Sequence, residues 1–443
     1  MDAEPPWPRC PEAAAFFDAL LEQFADANPP LAALRGRLAA VGVDLGVLVD
    51  HWIVPDGSLS TDILADLGLI ETVMPQGDRV WEHPGARLPR LRFKRDRTVL
   101  ALGVESIEAF CSSNSFDADA IHGEPDATYR CGHVALPTGE LMVVERRGTQ
   151  GFAPMDLDPE AHAALPWIRD GFDHRPRTIG EIAVVEAMVQ SFDSASRILG
   201  RGRAVEEFFA AERRHYLKRN AAARWQGTRQ DTVGIGWANH DHHTYRCARP
   251  MFQALILAFL HMGFVARERF HAGIDAGWGA QILDHPESRV VLFVDVDLAP
   301  EETDIDFTKT ALQPLPKLGT IGLWCALHGS SIAEAGLHHL ECEFLHDIVR
   351  DQFRAVGGGV MRPFTDLPML RQSFSDAEIW TVEPARIDRL VAEGLISNDD
   401  GDRFRREGAK GSHLEILQRW EGYKGFDKTS VSGIIRSTDA RRG

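Results

Sequence analysis

The chain has 443 residues, 48 basic and 65 acidic side chains, and a formal net charge of -17. So acidic a surface keeps a chain in solution and repels phosphate backbones, which argues against nucleic acid as a partner. A hydrophobic content of 44% is ordinary for a globular protein with room for more than one domain.

No stretch nears the roughly 20 apolar residues that span a bilayer, so no membrane partner is expected. The opening MDAEPPWPRC is acidic and proline-rich and lacks the basic start and apolar run of a secretory signal. Six cysteines (Cys10, Cys111, Cys131, Cys247, Cys325, Cys342) form no CxxC pair and read as reduced thiols. The expected location is the cytoplasm.

The first element is a helix in PEAAAFFDALLEQFADANPP, with Phe16, Leu20, Leu21 and Phe24 at helical spacing and Pro29–Pro30 closing it. LAALRGRLAAVG gives a second helix that stops at Gly42. VLVDHWIV reads as a strand closed by the turn Pro55-Asp56-Gly57. A short helix, STDILADLGL, precedes the strand-like pieces ETVMP, RLRFKR and TVLALGV. These make an α+β unit over residues 1–150.

Residues 151–230 begin with a polar, proline-containing stretch expected as a linker or lid, then a helical bridge. A second unit over 231–350 opens with GIGWANHDHHTYRC, followed by the helix PMFQALILAFLHMGF and the strands WGAQIL and RVVLFVDVDL. VDHWIV…ILADLGLIE and NHDHHTYR…LAFLHMGFVA share one order: a histidine-bearing strand, a helix ending in glycine, then strands. That echo suggests two copies of one βαβ-type module. Residues 351–443 are expected as a C-terminal helical region, with runs at ARIDRLVAEGLI and DDGDRFRREGAKGSHLEILQRW, and a closing segment.

Three segments carry candidate chemistry among the 18 histidines. In NHDHHTYR, strand alternation puts His240, His242, Thr244 and Arg246 on one face and His243 and Tyr245 on the other. Two imidazoles beside an arginine suit a metal or an anionic substrate better than a core. In HHLECEF, alternation groups His339, Glu341 and Glu343, and Glu341 is flanked by apolar Leu340 and Phe344. A buried carboxylate needs a partner, and a metal is a good one. In VDHWIV, His51 sits inside an apolar strand. Two histidines and one carboxylate from separate strands form the facial triad of non-heme iron oxygenases. His242 and His243 leave the ligand choice on their strand open, and Asp295 and Asp297, on one face of FVDVDL, are alternative carboxylates. GxSxG, GxGxxG and Walker motifs are absent.

FFDALLEQF…NP, VDHWIV, LADLGL, LPRLRF, GWANHDHHTY, HHLEC and WEGYKGFDKTSVSGIIRST together resemble the 2-oxoadipate dioxygenase/decarboxylase (2-hydroxyglutarate synthase) family. The resemblance implies a vicinal-oxygen-chelate-like half-open β-barrel of two βαβββ-type modules with added helices. It implies Fe(II) held by His51, His240 and Glu341, with O2 as co-substrate and a small organic acid as partner. The implied reaction is oxidative decarboxylation of a 2-oxo acid with hydroxylation of the same molecule. Ser430, Val431 and Ser432 would lie against substrate, and Arg246, His242 and Ser432 are the catalytic candidates. One departure stands out: Pro55 occupies the place of a family arginine that grips a substrate carboxylate. Another cation, Arg246 or Arg92, is then expected to do that work, or the substrate differs. The competing readings are a non-redox lyase or isomerase using its metal as a Lewis acid, and a non-catalytic small-molecule-binding protein.

Overall fold

The computed structural model describes residues 7–442 apart from 75, 76, 78, 95, 96, 273–275, 303, 308, 427–433 and 435–437. Ser430, Val431 and Ser432 therefore lie outside the described residues.

Two helices lead, α1 (Pro11–Asp26) and α2 (Pro29–Ala40). Pro29 opens the second helix rather than only ending the first, since its missing N–H costs nothing at a helix start. Eight strands then form one sheet: β1 (Val49–Val54), β2 (Ile70–Val73), β3 (Arg79–Glu82), β4 (Arg90–Phe93), β5 (Val99–Gly103), β6 (Ala120–His122), β7 (Tyr129–Ala135) and β8 (Glu140–Arg146). Short helices α3 (Thr61–Asp66) and α4 (Ile107–Asn114) follow the first strand of each half. Both are capped by serine, Ser60 bonding the Asp62 N–H and Ser106 the Ala109 N–H.

The order β2-β3-β4-β1-β5-β8-β7-β6 shows two βαβββ modules joined through their first strands. β1 runs antiparallel to β5, and each module's first strand runs parallel to its fourth. The expected linker holds a real helix, α5 (Pro159–Asp173), with Pro166 inside it and Asp158 capping its start. Helices α6 (Glu181–Leu199), α7 (Arg201–Arg219) and α8 (Ala221–Asp231) form the expected bridge.

A second eight-stranded sheet repeats the plan. It contains β9 (His240–Arg246), α9 (Arg249–His261), β10 (Val265–His271), β11 (Trp278–Asp284) and β12 (Val291–Asp297). After α10 (Thr320–His328), it continues with β13 (His339–Glu343), α11 (His346–Ala355), β14 (Thr365–Leu367) and β15 (Leu370–Phe374). An insertion follows: β16 (Ile379–Trp380), α12 (Pro384–Ala392), α13 (Asn398–Glu407) and β17 (Ala409–Lys410). Then β18 (His413–Arg419) returns to the sheet. The order β10-β11-β12-β9-β13-β18-β15-β14 is the same double module. The chain thus holds two curled half-barrels and four modules, where the sequence echo suggested two modules forming one.

Two expectations change. The second unit does not close at residue 350, because β14, β15 and β18 complete its sheet. The helical run expected through residue 420 stops at Glu407; Gly408, at φ +78, ends α13, and HLEILQR continues as a strand buried through its first five residues. A strand covered on both faces loses its alternating signature, so its pattern also fits a helix.

One continuous core joins the convex faces of both sheets to the helices. Trp52, Leu100, Leu141, Phe209, Tyr245, Phe252, Leu340 and Ile416 all belong to it. Among the described residues no helix is long and apolar enough to cross a membrane. The turn after β8 is fixed by a glycine pair: at Gly148, φ +73, an added Cβ would meet the Gly202 backbone carbon of α7 at 2.1 Å. Gly148→Ala is expected to cost about 1–3 kcal/mol more than Gly57→Ala, whose φ of +75 is similar but whose surroundings are open. Urea unfolding of the two variants measures the difference; equal costs would rule out backbone approach as the constraint.

Candidate metal centre

The concave face of the second half-barrel carries a row of polar side chains. β13 lies between β9 and β18, and the register sets Glu341 opposite His242 on one side and Glu415 on the other. His339, two residues before Glu341, shares its face. The sheet therefore delivers four side chains to one point. One ligand atom from each of His242, His339, Glu341 and Glu415 lies within 4.8 Å of all the others, and all four residues are buried.

The contacts within the group are close. His242 Nε2 is 2.7 Å from Glu341 Oε2, and His339 Nε2 is 2.9 Å from Glu415 Oε2. Outer contacts aim these atoms inward. His242 Nδ1 pairs with Asp241 Oδ2 at 2.8 Å, His339 Nδ1 with His338 Nδ1 at 2.8 Å, and Gln372 Nε2 donates to Glu415 Oε1 at 3.0 Å. An imidazole whose Nδ1–H is given to a carboxylate presents a bare lone pair at Nε2. At His242 that lone pair faces a carboxylate oxygen, an arrangement a shared cation stabilises.

Electrostatics agree. Burial pushes Glu415 up to about 7, against the pull of His242 and hydrogen bonds from its neighbours. Burial, then the charge of Glu415, raises Glu341. Burial, with nearby positive groups, holds His339 well below the usual histidine range. A neutral imidazole at His339 and carboxylates that resist ionisation are what a nitrogen–oxygen metal site looks like without its ion. The donor set, two imidazoles and two carboxylates, fits a borderline divalent transition metal.

The cavity over this group is lined by aromatic rings, including Phe270, Trp278, Phe293, Phe364, Phe374 and Phe426. Arg246 is the only arginine or lysine among the described residues lining it. It is fully covered; its Nη2 donates to Thr438 Oγ1 at 2.9 Å, while Nε and Nη1 have no hydrogen-bond partner. Burial lowers its pKa to about 10, and its neighbour Asp295 is raised to about 7, again chiefly by burial.

The sequence-based ligand set needs correction at two positions. Glu341 is in the group. His51 is not; it sits on β1 of the other half-barrel, with Nδ1 2.6 Å from Asp50 Oδ2. His240 is not either. The register between β9 and β13 shifts at Glu341/Cys342, and the His240 ring packs on His243, centroids 4.2 Å apart. Strand alternation fails at that irregular start, so His240 leaves the face of His242. Arg246 stands in the cavity, whereas Arg92 lies over the Phe152 ring of the first half-barrel. Asp295 lines the cavity beside Arg246 but lies outside the four-residue group. Glu415 joins the group without being among the sequence candidates; its signal is an acid between Leu414 and Ile416, which the helical pattern of that segment hides. His339 shares the face of Glu341 in the sequence pattern and joins it in the group.

No family model and no curated protein matches the chain. Among solved structures it is similar to methylmalonyl-CoA epimerase from Mycobacterium tuberculosis, at 14% identity and TM-score 0.24, over 41% of this chain and 88% of that one. A variant of the Streptomyces coelicolor epimerase with 2-nitronate-propionyl-CoA gives 15% identity and TM-score 0.22, over 41% and 96%. A triple mutant of 4-hydroxymandelate synthase from Streptomyces coelicolor gives 11% identity and TM-score 0.28, over 89% and 98%. These scores are too low to transfer an activity, and the metal reading rests on the donor geometry.

Two outcomes follow for the purified chain. His242→Ala, His339→Ala and Glu415→Ala should each weaken divalent-metal binding by at least about 100-fold, while His51→Ala and His240→Ala retain it, as measured by calorimetry. The second concerns pH. A carboxylate whose folded-state pKa lies above its unfolded value of about 4.5 favours folding below that pH, and the contribution is lost as pH rises towards 7. In chelator-treated protein, wild-type stability relative to Glu415→Gln should therefore fall between pH 4.5 and 7. Saturating metal should reverse the trend; a flat difference would remove the buried-carboxylate account.

Proposed function

We propose that the chain is a mononuclear non-heme Fe(II) dioxygenase that decarboxylates a small 2-oxo acid and hydroxylates the same molecule. The observation that carries this reading is the buried two-histidine, two-glutamate group opening onto a cavity with one buried arginine. His242, His339 and one carboxylate of the Glu341–Glu415 pair would hold the iron, and Gln372 would fix one oxygen of Glu415. Bound iron would supply a site for chelating the 2-oxo acid and the electrons for O2 chemistry.

The protein's own contribution is positioning. Arg246 stands four residues beyond His242 on the same strand face, about 13 Å along β9. Its two unpartnered nitrogens would take the distal carboxylate or another acidic end of a chain several bonds long. It would thereby replace the cation lost where Pro55 stands. The aromatic walls would exclude water and fix the intervening methylenes. 2-Oxoadipate has this shape, and so do other 2-oxo acids with a distal acid.

A specific observation favours a second reading. Both carboxylates reach the group, and a six-coordinate metal held by four protein ligands keeps only two free positions. Two positions hold a chelating substrate but leave none for O2, which suits a Lewis-acid lyase or isomerase. The readings separate in one experiment: anaerobically Fe(II)-loaded protein, given 2-oxo acids in an oxygen electrode with CO2 trapping. The dioxygenase consumes O2 and releases CO2 one to one, and Arg246→Gln raises KM by about 10-fold or more with a smaller change in kcat. Equal turnover without O2, or with zinc in place of iron, would establish the second reading instead.

A further inference from the structure

The first half-barrel has a concave face of its own, and much of it is ordinary apolar core: Ile53, Val99, Ala101, Cys131, Met142 and Val144. The rest is not. The guanidinium carbons of Arg90, Arg92 and Arg146 stand 4.4, 4.1 and 4.9 Å from the centroid of one ring, Phe152. The His51 ring meets the same phenyl edge-on at 4.8 Å. Phe152 is only 8% exposed, and it comes from the connection after β8 rather than from a strand.

The polar groups around this ring are unevenly satisfied. A register shift in β1 between Val49 and His51 leaves Asp50 as the extra residue. Its carboxylate accepts from Arg146 Nε and Nη2 at 2.7 and 2.9 Å and pairs with His51 Nδ1. Asp50 thereby has three partners on its two oxygens. Arg90, 3% exposed, spends Nη1 on the Gln150 carbonyl at 3.1 Å. Its Nε and Nη2 have no hydrogen-bond partner, and the nearest Asp50 oxygen is 3.7 Å away. His51 Nε2 is fully buried and has none either. Since its Nδ1–H goes to Asp50, that nitrogen offers a lone pair. A phenyl face attracts cations but accepts no conventional hydrogen bond, so Phe152 leaves both groups short.

His51 and Arg90 are direct register partners on neighbouring parallel strands, about 4.8 Å apart, and share a face. A guanidinium with two N–H groups unfilled beside an imidazole nitrogen without a partner matches a carboxylate beside a hydroxyl. We infer that the concave face of the first half-barrel binds a small 2-hydroxy carboxylate, its carboxylate on Arg90 and its hydroxyl donating to His51 Nε2, in the place Phe152 fills when the site is empty. Crowding by burial and neighbouring arginines, which holds Arg90 at about 9 and His51 at about 4, is consistent with an anion missing from this face. Phe152 can leave without breaking a strand hydrogen bond, because it belongs to the connection.

The test is calorimetric titration of malate into the full chain carrying Arg246→Gln and stripped of metal with a chelator, so that neither metal nor Arg246 of the second half-barrel contributes. This parent should bind saturably, with Phe152→Ala added about 10-fold more tightly, and with Arg90→Gln added at least about 10-fold more weakly. Succinate, which lacks the hydroxyl, should bind more weakly than malate, and His51→Phe should erase that preference. Arg90→Lys, which keeps the charge, should fall between the parent and Arg90→Gln and decides the matter if the glutamine variant does not fold. No binding to the parent, or binding indifferent to both Arg90 variants, overturns the inference.

Discussion

Two carboxylates and two imidazoles meet in the second half-barrel where water does not reach, and that convergence sets the terms for everything around it. Burying a carboxylate without a compensating charge costs several kcal/mol in a real protein, so such a group persists only where a cation, a proton or a dense hydrogen-bond net meets it. Here the net is partial. Glu415 has Gln372, but Glu341 faces only the other members of the group. A divalent ion would satisfy all four side chains at once. The sheet makes the convergence possible because β9, β13 and β18 are adjacent and the pleat sends alternate residues to the same face.

The support for this group reaches into the first half-barrel. Asp241, which orients His242, is paired with Arg419 of β18 and with Arg87 from the connection between β3 and β4. Arg87 also pairs with Glu343 at 2.8 Å, two residues beyond Glu341. The orientation of one candidate ligand thus depends on a guanidinium delivered by the other barrel. Disturbing the packing between the barrels would loosen the imidazole without touching the site, the sort of outer contact on which metal affinity depends strongly.

Much of this was legible in the sequence, and the reasons for the rest are physical. Alternation on NHDHHTYR and HHLECEF placed His242, Arg246, His339 and Glu341 on the faces where they are found. It could not foresee the irregular start of β9 that turns His240 away, because a bulge depends on the partner strand. β18 was hidden because its neighbours cover both faces, leaving Leu414, Ile416 and Leu417 in a pattern that suits either periodicity. With β18 went Glu415. The resemblance drew attention to His51 on a sound local basis, as a histidine inside an apolar strand, yet only the sheet pairing tells which barrel a strand joins.

His51 and His242 make the point together. Each lies on the first strand of its half-barrel, each is buried, and each gives Nδ1 to the aspartate immediately before it. What separates them is the company across the sheet. β13 and β18 bring Glu341, His339 and Glu415 to His242, whereas β4 and β8 bring Arg90 and Arg146 to His51. Carboxylate neighbours draw a cation to an imidazole; guanidinium neighbours exclude one and favour an anion. The same module, with the charge of its facing strands reversed, thus yields two sites of opposite preference in one chain. The histidine alone cannot tell them apart; the sign of the strands beside it does.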